Sequence, residues 1–447
     1  MKTNKKIAIL GAGESGYGAA VLARKQGYEV FVSDMGEIKE EYLSLLQKNN
    51  FAFEEGKHTE AEILNAGEVI KSPGIPDKAP LIKKIHEKGI PVISEIEFAA
   101  RYTNAFKICI TGTNGKTTTT MLAYHILQKA GLHVGLAGNV GKSFALQVAE
   151  NDFTHYVLEL SSFQLDGMFD FKAEVAILTN ITPDHLDRYG YDVNNYIDSK
   201  FRITRNQSGA DAFIYCADDT LTTEALKTRT IAATQYPFSI KTEAGMTAFL
   251  KEENLNINLN NNLLHMSIFD LALQGKHNLY NTMAAGIAAR IIDIRKDVVR
   301  ESFSDFKNIE HRLEHVMTVH GIEFINDSKA TNINSTWYAL ECMQKPIIWI
   351  VGGVDKGNDY ESLKDLVKTK VKAIVCLGAD NAKIIEAYKD IVPEIVETRS
   401  ASDAVKASYE KGRKGDVVLL SPACASFDLF KNYEDRGWQF KKAVKGL

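Results

Sequence analysis

The sequence predicts an α/β fold in three domains, each built on a mainly parallel sheet. Three observations carry this. The chain has 447 residues, and at roughly 150 residues per domain that suggests about three. Apolar runs of strand length alternate with helical patterns, which places helices on both faces of parallel sheets. Two glycine-rich segments, GAGESG and TGTNGKTTT, each lie between an apolar run and a helical pattern, as a phosphate-binding βα turn does.

The composition is that of a globular protein, 45% hydrophobic and 25% charged, with a net charge of −4. This balance gives no reason to expect nucleic acid or an anionic membrane as a main partner. The five cysteines, at 109, 216, 342, 376 and 424, form neither a CxxC pair nor a zinc-spaced cluster. They read as small buried side chains in a reducing compartment. The apolar run Ile7 to Leu10 ends at Gly11, too short for a signal-peptide core. No stretch approaches the ~20 apolar residues of a membrane span. The expected location is the cytoplasm.

The first block, 1–94, opens βαβ: KKIAIL as a strand, GAGESG as a turn, YGAAVLARKQG as a helix closed by Gly27, and EVFVSD as a second strand. EVIKSPGIP follows as a strand running into a Pro/Gly turn. Gly11, Gly13 and Gly16 form GxGxxG, and Asp34 stands at the end of the next strand. Such a turn aims backbone N–H groups at a pyrophosphate, with the acid placed for a ribose hydroxyl. NAD is the default ligand, another ribose diphosphate such as UDP fits equally, and a tight turn that binds nothing is the bland alternative.

The second block, 95–308, begins with ICITGTNGKTTT between a strand and the helix MLAYHILQKAG. Gly112, Asn114 and Gly115 shape a loop whose N–H groups cradle phosphates. Lys116 reaches the β/γ oxygens and the Thr117 hydroxyl suits Mg²⁺. The strict P-loop spacing wants glycine at 110, where Ile110 stands. Glu159 ends the strand YVLEL, and Asp184 and His185 follow the strand AILTN; strand ends beside a phosphate loop are where such sheets bind ligands. On its own, His185 reads as a hydrogen-bonded loop histidine and Lys200 as a solvated helix lysine. THYVLELSS, AEVAILTN and DAFIYCA read as strands. A polar, strand-rich stretch spans residues 230–275, and NLYNTMAAGIAARII closes the block as a helix.

In the third block, 309–447, the strands GIEFIN, PIIWIVGG, VKAIVCLG and DVVLLSP alternate with helical patterns such as SASDAVKASYEKG. Asp327, Gly352 and Ser421 each follow one of these strands. The carboxyl ends of parallel strands share one edge, so three loops should converge on one crevice.

TGTNGKTTT, LELSSFQL, TNITPDHLDRYG, GKHNLYN, HRLE, NDSKATN and SPACASFDLFKNYEDRG occur in this order across the whole chain. Together they resemble the Mur ligases, and the last two resemble the branch that adds D-glutamate. The resemblance implies Rossmann-like first and third domains around a P-loop ATPase-like middle one. It implies ligation of D-glutamate to UDP-N-acetylmuramoyl-L-alanine by a monomer using ATP and two Mg²⁺. It gives UDP-substrate contacts to Gly13, Ser15, Gly16, Asp34, Ser72 and Pro73, and then to Asn139, Ser161, Ser162 and Gln164. On this reading the first glycine loop holds UDP. ATP contacts fall to Gly112, Thr113, Asn114, Gly115, Lys116, Thr117 and Thr118, with Asn278, Asn281, Arg312 and Asp327. Thr117 and Glu159 would hold one Mg²⁺; His185, with Lys200 as a carbamate, a second. Lys329, Thr331, Lys356, Ser426 and Tyr433 would contact D-glutamate. Asp355 precedes Lys356 in GGVDKG, and Tyr433 adds a hydroxyl where relatives often carry Phe.

The chemistry implied is attack of the alanine carboxylate on the γ-phosphate, then attack of the D-glutamate amine on the acyl phosphate. Lys116, His185, Lys200 and Lys329 are the expected catalytic group. An acyl phosphate needs shielding from water, so the last domain is expected to close about the segments near residues 300–310.

Overall fold

The computed structural model describes residues 6–306 and 310–447. Lys5, the expected boundary at 308 and 309, and part of the expected hinge lie outside them. Two compact units result: Met1–Gln274 with Asn278–Phe306, and Gly275–His277 with Lys307–Leu447.

The first unit holds two sheets. One comprises β1 (Lys6–Leu10), β2 (Glu29–Ser33), β3 (Ala52–Glu54), β4 (Glu68–Lys71) and β5 (Val92–Ile93), all parallel, in the order β3-β2-β1-β4-β5. All five β1 residues are buried, as a central strand covered on both faces requires. The strand order reverses between β1 and β4, so a crevice opens beyond their carboxyl ends. The helix after β1 is Glu14–Lys25, three residues earlier than the apolar pattern places it. Gly16 therefore sits in its first turn, where a Cβ would lie 1.9 Å from the Gly11 carbonyl oxygen.

The second sheet comprises β6 (Phe106–Thr111), β7 (Val134–Gly138), β8 (His155–Glu159), β9 (Val175–Leu178), β10 (Ala212–Cys216), β11 (Thr234–Ser239), β12 (Ala248–Lys251), β13 (Asn254–Leu259) and β14 (Asn262–Ser267). The order is β14-β13-β12-β11-β10-β9-β6-β8-β7. Pairing is parallel from β7 to β12 and antiparallel from β12 to β14. The antiparallel end is the polar stretch expected to be strand-rich. Its two hairpins turn on Glu252–Glu253 and Asn260–Asn261, all four at positive φ, the two-residue geometry that matches strand twist.

The second unit holds β15 (Glu314–Val319), β16 (Ile322–Asn326), β17 (Ile347–Val351), β18 (Val371–Leu377), β19 (Ile395–Thr398) and β20 (Val417–Leu420), ordered β15-β16-β20-β17-β18-β19. Only the β15–β16 pair is antiparallel. Successive β17 residues enter opposite cores, Ile347, Trp349 and Val351 on one side and Ile348 and Ile350 on the other. This is the two-faced burial that the apolar runs predict.

The chain crosses from the first sheet to the second through the helix Glu95–Ala100, capped by Ser94. Two buried carboxylates rivet it down. Glu97 accepts backbone N–H bonds from Phe169, Asp170 and Phe171 at 3.0–3.1 Å. Glu95 accepts from Ser143 Oγ at 2.7 Å and Ala145 N at 2.5 Å. One apolar cluster accordingly runs from Ile9 through Phe98 to Phe144 and Leu158. The cysteines are free, four of them buried and Cys342 half-buried. Among the described residues no helix is long and apolar enough to cross a membrane.

Candidate active site

The phosphate loop leaves β6 between its two neighbours β8 and β9, so the loops after all three strands meet. Gly112 (φ +141°) and Gly115 (φ +81°) occupy backbone conformations that side chains rarely adopt, and each is hemmed in. A Cβ at Gly112 would lie 1.9 Å from Thr179 Oγ1, and one at Gly115 would lie 2.3 Å from Asn281 Oδ1. The TNIT segment after β9 clamps the loop: Asn114 N donates to Asn180 Oδ1 at 3.0 Å and Thr113 Oγ1 to the Thr182 carbonyl at 3.0 Å. Lys116 Nζ lies 2.9 Å from the Gly112 carbonyl and 2.8 Å from that of Thr113. Asn281 accepts from Thr119 Oγ1 and donates to Asn278, so the GKHNLYN helix sets Asn281 against the loop with Asn278 behind it. Thr117 and Thr118 are buried in the first turn of the following helix, and Thr118 Oγ1 has no partner among the described residues.

Glu159 ends β8 and is 1% exposed. Its Oε1 accepts from Asn139 Nδ2 at 2.7 Å, while Oε2 is buried without a hydrogen-bond partner among the described residues. A buried carboxylate oxygen left unpaired is costly unless something cationic reaches it. Glu159 and the Thr117 hydroxyl are hard oxygen donors, so they fit Mg²⁺. No group of three or more His, Cys, Asp or Glu suited to a metal occurs among the described residues.

Lys200 corrects the reading of a solvated helix lysine. It is 2% exposed, with Nζ 2.8 Å from the Gly112 carbonyl and 5.0 Å from the centre of the Tyr196 ring. Burial, reinforced by the Lys116 ammonium, holds its pKa well below the usual lysine value. The residue type hid this, although Val193–Phe201 presents Tyr196, Ile197 and Lys200 inward together. His185 is exposed, in the left-handed region at φ +52°, with its ring edge-on to Phe163 at 5.3 Å between centroids. Its backbone N–H donates to Asp184 Oδ1 at 2.9 Å.

At the first glycine loop Asp34 braces the turn. Its Oδ2 accepts from Ala12 N at 2.7 Å and its Oδ1 from Gly36 N at 2.9 Å. Ser72 and Pro73 follow β4 across the crevice; a Cβ at Gly11 would lie 2.5 Å from Ser72 Oγ. Gly13 is exposed at the helix start, with Ser15 half-buried behind it. Ser161 and Gln164 form a reciprocal capping box on the helix Ser162–Asp166. Nearby, a cavity of about 70 Å³ is lined by Lys71, Lys78, Phe163, Arg188 and Tyr189 among others. Arg188 lies over the Phe163 ring at 4.4 Å and donates to the Pro73 and Gly74 carbonyls at 3.3 and 3.4 Å.

In the second unit, β16, β20 and β17 are adjacent and parallel, so the loops after them do converge. Asp327, 4% exposed, accepts from Ser421 Oγ at 2.9 Å and Leu313 N at 3.2 Å. Burial pushes its carboxyl up to about 7, against the pull of the nearby Arg312 guanidinium. Lys329 Nζ lies 5.3 Å from the centre of the Tyr433 ring, Thr331 N donates to the Lys329 carbonyl, and Ser426 is buried. Lys356 is exposed, whereas Asp355 is tied down by the N–H groups of Gly357 and Asn358.

Sequence reasoning assigned no role to Arg436, Arg188 or Asn180, although each lies in a quoted motif. Arg436 is 1% exposed and donates to the carbonyls of Ser328, Gly352 and Cys424, pinning three loops together. A single arginine letter carries no sign of burial; only the convergence of the strand ends could have pointed to it.

Known proteins match the chain along its length. Residues 6–80 match the MurD N-terminal domain, 110–289 the Mur ligase middle domain, and 311–424 the Mur ligase glutamate ligase domain. UDP-N-acetylmuramoylalanine–D-glutamate ligase of Bacteroides fragilis is 55% identical over 99% of this chain and 100% of its own. That of Bacteroides thetaiotaomicron is 56% identical over the same shares. The fold is shared with UDP-N-acetylmuramate-alanine ligase MurC from Thermotoga maritima, at a TM-score of 0.64, 18% identity and 99% coverage of both chains. It is shared too with MurF ligase from Thermotoga maritima in complex with ADP, at 0.60 and 14% over 86% of this chain and 91% of that one. The chain belongs to the Mur ligase family, in the branch of the UDP-N-acetylmuramoylalanine–D-glutamate ligases.

Proposed function

We propose that this protein joins D-glutamate to UDP-N-acetylmuramoyl-L-alanine with ATP, in the cytoplasm, giving ADP and phosphate in peptidoglycan precursor synthesis. The observation that carries the reading is the cluster around the phosphate loop: Lys116 on it, the unpaired Glu159 oxygen beside it, and Lys200 buried beneath it.

The alanine carboxylate attacks the γ-phosphorus, and two anions must meet. Lys116 leaves the carbonyls of its own loop for the phosphate oxygens and offsets that repulsion, while the loop N–H groups hold the triphosphate in line. Thr117 and Glu159 would hold one Mg²⁺, and His185 with carbamylated Lys200 a second; bound there, the ions neutralise charge on the transferring phosphoryl group. Burial favours the neutral Lys200 amine, the form that captures CO₂. The UDP portion lies along Gly13, Ser15, Gly16, Asp34, Ser72 and Pro73, and the sugar and alanine along Asn139, Ser161, Ser162 and Gln164. Asn278, Asn281, Arg312 and Asp327 take the nucleotide. Lys329, Thr331, Lys356, Ser426 and Tyr433 receive D-glutamate, whose amine must lose a proton before attack.

Phosphate release tests this, measured with the UDP-substrate, ATP, Mg²⁺ and a panel of D- and L-amino acids. Release should require D-glutamate. Turnover without any amino acid, or with a different one, sinks the assignment.

A further inference from the structure

We infer that Asn139 is a positioning residue for a divalent cation: its side-chain amide holds the Glu159 carboxylate so that one oxygen is presented to the ion. This rests on the metal reading of Glu159 proposed above and goes beyond it, because that reading gives Asn139 to the UDP-substrate alone.

The geometry is specific. Gly138, the last residue of β7, pairs with Glu159, the last of β8. Its φ of +100° folds the chain over the strand end, and a Cβ there would lie 2.2 Å from the Glu159 carbonyl oxygen. Only glycine tolerates that approach. The fold-over delivers Asn139, whose backbone N–H donates to the Glu159 carbonyl at 2.8 Å and whose Nδ2 donates to Oε1 at 2.7 Å. Glu159 is thus held at both backbone and side chain by one residue, which fixes its rotamer.

The contrast with another buried carboxylate in the same unit is informative. Both oxygens of Glu97 are filled, by three backbone N–H groups; that carboxylate is structural. Glu159 has one oxygen filled by a neutral donor and no hydrogen-bond partner for the other among the described residues. An amide donor orients a carboxylate without cancelling its charge, as a lysine or arginine would. Partners that hold a ligand in this way typically contribute 10- to 100-fold in metal affinity. Asn139 is itself exposed, so its carbonyl oxygen remains available to substrate. One side chain therefore couples the UDP-substrate to the ion.

The test uses the full chain with a non-hydrolysable ATP analogue and Mn²⁺, titrated by the loss of the free-ion electron paramagnetic resonance signal. Asn139→Ala should weaken Mn²⁺ binding at least tenfold, with the thermal midpoint and metal-free analogue binding near wild type. Glu159→Gln should weaken it at least as much, and the double variant no further than Glu159→Gln alone. Asn139→Leu, with the same branching and number of side-chain heavy atoms and no donor, repeats the measurement should the alanine variant fail to fold. Wild-type Mn²⁺ affinity in the Asn139 variants with a raised KM for the UDP-substrate would overturn the inference, as would additive losses in the double variant. Wild-type Mn²⁺ affinity in Glu159→Gln would remove the metal reading itself and the inference with it.

Discussion

Two lysines and a glutamate show how much context a single side chain needs. Lys116→Ala is expected to lower ligation by at least about a thousandfold, with UDP-substrate affinity by calorimetry unchanged; a parallel loss of that affinity would mean that the two glycine loops have been given each other's ligands. Glu95 makes a pH prediction. Burial, with the nearby Glu14 charge, raises its pKa from 4.5 to about 7. The folded state then binds the proton more tightly than the unfolded one, so this residue's contribution to stability is present below about pH 4.5 and is lost as pH rises through about 7. Glu95→Gln keeps an acceptor for Ser143 and Ala145 and removes the titration. It should raise the melting temperature at pH 8, leave it near wild type at pH 4.5, and flatten the profile between. Lys116 and Glu159 were legible in the sequence because a phosphate loop and a strand end give them context. The burial of Lys200 was not, since a lysine on a helix is ordinarily solvated and only the neighbours that close over it say otherwise.

At the scale of elements, apolar runs found the central strands because those strands are covered on both faces. β1, β17 and β20 lie where KKIAIL, PIIWIVGG and DVVLLSP place them. The short edge strands β3 and β5 carry too few residues to show a period, and no sequence pattern marked them. The phosphate loop was readable despite Ile110 because its conformation depends on Gly112 and Gly115 rather than on the missing glycine. Gly115→Ala meets both a positive φ and Asn281 Oδ1, which Thr119 holds in place. A loss of about 1–3 kcal/mol in denaturant melts is expected, with ATP affinity down at least tenfold. Wild-type ATP affinity in that variant would show that the loop does not need this conformation.

For the whole molecule, the chain divides into two compact units, where the sequence reads as three blocks, 1–94, 95–308 and 309–447. The first boundary was drawn at a change of pattern after residue 94, which periodicity detects; whether a crossing helix is fastened or loose depends on contacts that periodicity does not report. If the second unit shields the acyl phosphate, the radius of gyration by solution scattering should fall when ATP analogue and UDP-substrate are added together. An unchanged value would argue against closure. The fastening of Glu95–Ala100 also limits how these enzymes can be recombined. An exchange between relatives that ended between Glu97 and Phe169 would part the Glu97 carboxylate from the three backbone amides at 169–171, and one that ended between Glu95 and Ser143 would part Glu95 from Ser143 too. Chimeras should survive when the junction lies before Glu95 or past Phe171 and fail when it falls between them. The crossing helix is then inherited with the phosphate loop, whichever parent supplies the first sheet.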